Sequence, residues 1–139
     1  MTDRYATIVA SVVAIGSAAL AVVFLASLHV LSPEYSPAWR MISEYANGHY
    51  AWVLSLMFIA YGLSILSLAY AIRRQTKTRA STVGLVLLAV SGAAAASAAQ
   101  FDLNQVVLHE LAGILGILGL PVAAMLITPT LVRKQPWSN

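Results

Sequence analysis

Residues 100–128 read QFDLNQVVLHELAGILGILGLPVAAMLIT, and this stretch decides how the chain is read. It opens on a polar run that contains Asp102, Asn104, Gln105, His109 and Glu110, and then becomes an apolar run of membrane length. Ionisable groups at the mouth of such a helix are costly to place in or beside hydrocarbon, so they mark a candidate site. Gly113, Gly116 and Gly119 follow at every third position, a spacing that predicts a close helix contact.

The rest of the chain has the same character. It is 60% hydrophobic and 9% charged over 139 residues, against about 25% charged in an ordinary soluble domain. So few charges cannot coat a water-soluble globule of this size. Four apolar runs, roughly 7–31, 50–72, 80–99 and 106–132, are each long enough to cross a hydrocarbon core of ~30 Å. The expectation is therefore all-α: a four-helix integral-membrane bundle that forms one membrane domain over residues 1–139. The chain has no cysteine, which excludes disulfides, thiolate catalysis and cysteine-bound metal. The formal charge of +3 comes from residues that mostly flank apolar runs, so the balance points to membrane topology and not to nucleic acid. The basic start and apolar middle of the N-terminus resemble a signal peptide, but the apolar run is too long for one and is read as a retained first span.

Between the first two spans lies the longest polar connection, SPEYSPAWRMISEYANGH, residues 32–49. Ser32-Pro33 and Ser36-Pro37 read as caps followed by proline in a first helical turn. The pattern predicts a short helix over 37–46 lying near the membrane surface, ended by Asn47-Gly48. Tyr35, Trp39, Tyr45, Tyr50 and Trp52 are expected at headgroup level. Between spans two and three, RRQTKTR (73–79) holds half of the chain's basic residues and no acid. The positive-inside rule places that loop, and with four spans both termini, in the cytoplasm of a plasma (inner) membrane. His29, His49, His109, Glu34, Glu44, Asp102 and Glu110 then gather at the outer face. The third span ends SGAAAASAA, too slight to stand against lipid alone, and so must lie against other helices.

Asp102, Gln105 and His109 stand at i, i+3 and i+7 and share a face if the helix begins early enough. A carboxylate that orients a histidine serves general acid/base and metal sites; Asp102 as a simple helix cap is the other reading. Ser43 and Glu44 fall in the outer loop, where Glu44 can pair with Arg40 one turn away. His29, His49 and His109 are the candidate metal ligands, with zinc as the possible ion, although no close motif such as HxxxH links them.

PEYSP, ISEYANGHY, FDLN and LHELAGILGILGLPVAA, in that order between apolar spans, resemble the integral-membrane family known as domain of unknown function 998. The resemblance covers nearly the whole chain. Because members commonly have about six spans, it implies a shortened version with four. It names no activity, and it singles out Ser43, Glu44, Asp102 and His109 because they lie in the matching motifs. A looser likeness is to membrane hydrolases of the alkaline ceramidase kind, for which Ser43, Asp102 and His109 supply the residue types but not the helix count or paired histidines.

The expected role is non-enzymatic, with no catalytic residue assigned. The chain reads as an accessory or scaffold subunit, or as a binder of lipid or another hydrophobic ligand. Its partners are the lipid bilayer and, beyond it, a membrane-protein partner or a homo-oligomer. The alternative is an outward-facing metal-dependent lipid hydrolase.

Overall fold

The computed structural model describes residues 2–100 and 105–132. Four α-helices account for nearly all of it: α1 (Thr2–Leu31), α2 (Ala51–Ile72), α3 (Arg79–Ser97) and α4 (Val106–Val132). No strand occurs among the described residues. At about 1.5 Å per residue, even the 19 residues of α3 reach roughly 28 Å, and all four helices are long and apolar enough to cross a membrane. The principal helix contacts follow chain order, α1 on α2, α2 on α3 and α3 on α4. Each helix is antiparallel to the next: Asp3 meets Arg74, Ser55 meets Ala99 and Thr78 meets Thr130.

Each contact stripe has helical spacing. On α1 it is Ala14, Ser17, Ala21 and Leu28, while Val12, Ile15, Val22 and Val30 face outward. In a bilayer those outward faces are solvated by lipid, so their exposure needs no protein cover. Where α2 meets α3, Gly62 abuts α3 so closely that a built Cβ would lie 2.6 Å from the Gly92 carbonyl oxygen and 2.7 Å from the Ala96 nitrogen. The alanine-rich end of α3 is what permits this approach. Ser64 adds a polar tie, its hydroxyl donating to the Ala14 carbonyl of α1 at 2.8 Å.

On α4 the buried positions are Ala112, Gly116, Gly119, Ala123 and Ile127. The glycine triad needs a correction here. A Cβ at Gly119 would clash with Ser91 Oγ on α3, one at Gly116 would meet Ala95 at 3.5 Å, and one at Gly113 would meet nothing within 4 Å. A three-residue step turns about 300° around a helix of 3.6 residues per turn. Each step in the triad therefore slips about 60°, and Gly113 leaves the face that Gly119 occupies. Leu120 packs partly buried against the core between α2, α3 and α4.

The loop between α1 and α2 contains a short helix, but it is a 3-10 helix over Ile42–Asn47 and begins later than 37. Met41 is extended, and its N–H donates to Glu44 Oε1 at 3.1 Å. That local bond starts the helix at Ile42, leaving residues 37–40 as a turn in which the Arg40 N–H reaches the Ser36 carbonyl at 3.0 Å. Ser32 ends α1 instead of starting a new helix: its N–H bonds the Leu28 carbonyl at 2.9 Å.

Candidate functional site

The two ends of the bundle differ in chemistry. One end carries the 73–79 loop. There Arg74 pairs with Asp3 at 2.8 Å, fixing the end of α2 to the start of α1, and Arg73 lies 3.5 Å from the centre of the Tyr70 ring. The opposite end carries His29 at the end of α1, Glu34, Glu44 and His49 in the loop after it, and His109 and Glu110 in the first turns of α4.

At that second end the loop is fastened by Tyr45. Tyr45 is 2% exposed, its ring covered by the protein's own loop and helices. The Tyr45 hydroxyl donates to the Tyr35 carbonyl at 2.8 Å and lies 2.7 Å from His29 Nδ1. A carbonyl only accepts, so the one phenolic proton goes to Tyr35. His29 Nδ1 must then carry a proton and donate to Tyr45. Burial, and after it the Glu34 charge, raise the Tyr45 phenol above its ordinary pKa. The loop closes over this cluster: a Cβ at Gly48 would stand 3.1 Å from the Tyr35 ring.

Beside this cluster is a cleft of about 150 Å³ lined by Ala46, Ala51, Leu54, Ser55, Phe58, Ala98, Ala99, Gln100 and His109. Its walls come from the 3-10 helix, the start of α2, the end of α3 and the start of α4. Leu54 and Phe58 make the floor apolar. Ser55, Gln100 and His109 supply polar groups; Ser55 Oγ lies 3.4 Å from both the Ala51 and Ala99 carbonyls.

The expected site residues fall in different places. His109 is partly buried at the cleft. Asp102 lies outside the described residues. Glu44 is engaged by Arg40 at 2.9 Å and by the Met41 N–H, so its carboxylate serves its own loop and is not committed to His109. Ser43 is partly buried beside it, and Glu110 is exposed. His49 is exposed and stacks edge-on against Tyr50. The candidate metal ligands His29, His49 and His109 are not gathered into one group. Among the described residues no three histidine, cysteine or carboxylate groups come close enough to share an ion. His29 Nδ1 is engaged by the Tyr45 hydroxyl.

Sequence reasoning missed Tyr45 as a buried tie and missed the cleft floor. The signal for the cleft was present in Ser55, a polar residue one turn inside an apolar span. Phe58 and Leu54 look like any lipid-facing residue until α3 and α4 are placed beside them.

Helix length, apolar surface and charged ends define a small polytopic helical membrane protein. Residues 9–139 match the family model described as protein of unknown function, DUF998, and the chain belongs to that family. No curated protein and no solved structure matches it.

Proposed function

We propose that this protein is a non-enzymatic binder of a lipid or other hydrophobic ligand, working as an accessory or scaffold subunit in a plasma (inner) membrane with both termini in the cytoplasm. The observation that carries the reading is the cleft under the outer loop. It joins an apolar floor of Leu54 and Phe58 to a rim of Ser55, Gln100 and His109. Sites for small amphipathic molecules have this composition, a mostly apolar wall with a few polar groups that orient the guest. The volume is below the roughly 300 Å³ at which drug-sized ligands are enclosed. The cleft therefore holds one end of a longer molecule whose remainder lies in the bilayer or in a membrane-protein partner, including a second copy of this chain. The orientation rests on the basic 73–79 loop.

Gentle detergent purification followed by mass spectrometry of the retained lipids and proteins tests this reading. A defined lipid or protein species in stoichiometric amount is expected. A preparation that holds only bulk lipid in proportion to the membrane contradicts it.

A further inference from the structure

The basic end of the bundle has a groove that the outer-cleft reading does not use. It is the larger of the two, about 440 Å³, and is lined by Lys77, Thr78, Ala80, Met125, Leu126, Pro129 and Thr130. It lies where the start of α3 meets the last turn of α4, and Thr78 Oγ1 and Thr130 Oγ1 stand 3.3 Å apart across that junction. The walls below are apolar. Met125 is 76% exposed beside the groove. Pro129 has no N–H to give the Met125 carbonyl four residues earlier, so this turn of α4 has an acceptor without its helical donor.

The charge at the rim is unbalanced. Arg74 is paired with Asp3, and Arg73 is folded onto Tyr70. Lys77 and Arg79 make no ion pair among the described residues, and both are exposed. Lys77 therefore lines an apolar groove where a basic loop meets a hydrophobic span, and Arg79, the first residue of α3, follows it two positions on in the chain.

We infer that this groove binds one anionic phospholipid, its phosphate against Lys77 and the Thr130 hydroxyl with Arg79 adding to the positive charge of the same loop, and an acyl chain along Leu126 and Met125. Charge selects the headgroup, and the apolar wall selects a lipid over a free anion. Basic pockets between transmembrane helices are suited to such headgroups, and each nearby cation contributes about fivefold in affinity.

The test is native mass spectrometry of the whole protein titrated with phosphatidylglycerol or phosphatidylcholine of equal chain length. Wild-type protein should hold phosphatidylglycerol several-fold more tightly, with a single high-affinity copy. Lys77→Gln/Arg79→Gln, two exposed changes, should bring the two lipids to near parity. Ala80→Trp should fill the groove and remove the high-affinity copy. Inorganic phosphate at millimolar concentration should not displace the lipid. Equal retention of the two lipids by wild type, an unchanged preference in the double variant, or displacement by phosphate alone would each overturn the assignment. A ligand held in the outer cleft would be insensitive to Lys77→Gln/Arg79→Gln, so failure of one site leaves the other measurable.

Discussion

His29 at the end of α1 and Tyr45 in the loop between α1 and α2 are joined by a 2.7 Å hydrogen bond from Nδ1 to the phenolic oxygen. Since Tyr45 also donates to the Tyr35 carbonyl, its hydroxyl holds three segments of chain at one point. Tyr45→Phe would keep the ring in place and leave both partners without the hydroxyl. The expected loss is about 1–3 kcal/mol, the penalty for a buried polar group left unpaired. It should appear as a lower thermal midpoint in detergent, and an unchanged midpoint would show the tie to be energetically idle.

The same tie has a definite pH dependence. Burial first, and the Glu34 charge second, raise the Tyr45 phenol in the folded protein above its unfolded value. A raised folded-state value means that the neutral phenol is the stabilising form. That contribution is complete below about pH 10, the unfolded phenol range, and is lost as pH rises through the higher folded value. An ultraviolet tyrosinate titration should show one phenol ionising late in wild type. Glu34→Gln should bring it earlier, and Tyr45→Phe should remove it. A titration that Tyr45→Phe leaves unaltered would refute the assignment.

Gly62 and Gly113 make opposite predictions for the same substitution. Gly62→Ala would press a methyl into the Gly92 carbonyl and the Ala96 backbone, neither of which can rotate away. Overpacking of this kind destabilises by about 1–3 kcal/mol. Gly113→Ala meets open space and should be neutral or slightly stabilising, because alanine favours helix over glycine by up to about 1 kcal/mol. Thermal midpoints in one detergent check both, and equal effects would mean that α2 and α3 are not packed through Gly62.

Orientation is testable because the chain has no native cysteine. Ser36 and Gln75 are both exposed, at opposite ends of the bundle. Ser36→Cys should label from outside intact cells, and Gln75→Cys only after permeabilisation. Labelling of both from one side would contradict a single crossing by α2 between the two positions.

Several of these features were legible in the chain and others were not. Long apolar runs and scarce charge state four helices directly, since hydrocarbon admits few other backbones. The SGAAAASAA run foretold a close neighbour for α3, and Gly62 turned out to be part of it. What remained hidden depends on tertiary placement. Tyr45 has the composition of a headgroup aromatic, and only the fold of the 33–41 turn brings His29 and Tyr35 to its hydroxyl. Gly113 shares its spacing with Gly116 and Gly119, but the helical phase carries it off their face. Glu44 could have faced His109 or Arg40, and a bond to its own backbone at Met41 is what decides between them.

The outer cleft is the centre of the functional account, and filling it is the most direct trial. Ser55→Phe would put an aromatic ring between Leu54, Phe58 and His109, on a residue that caps no helix and holds only long contacts of 3.4 Å. The measurement is the amount of ligand retained per protein after gentle purification, read by mass spectrometry alongside helical content by circular dichroism. The account predicts that Ser55→Phe loses the ligand that wild type retains while helical content stays the same. Retention of that ligand at the wild-type level by a folded Ser55→Phe protein would contradict it.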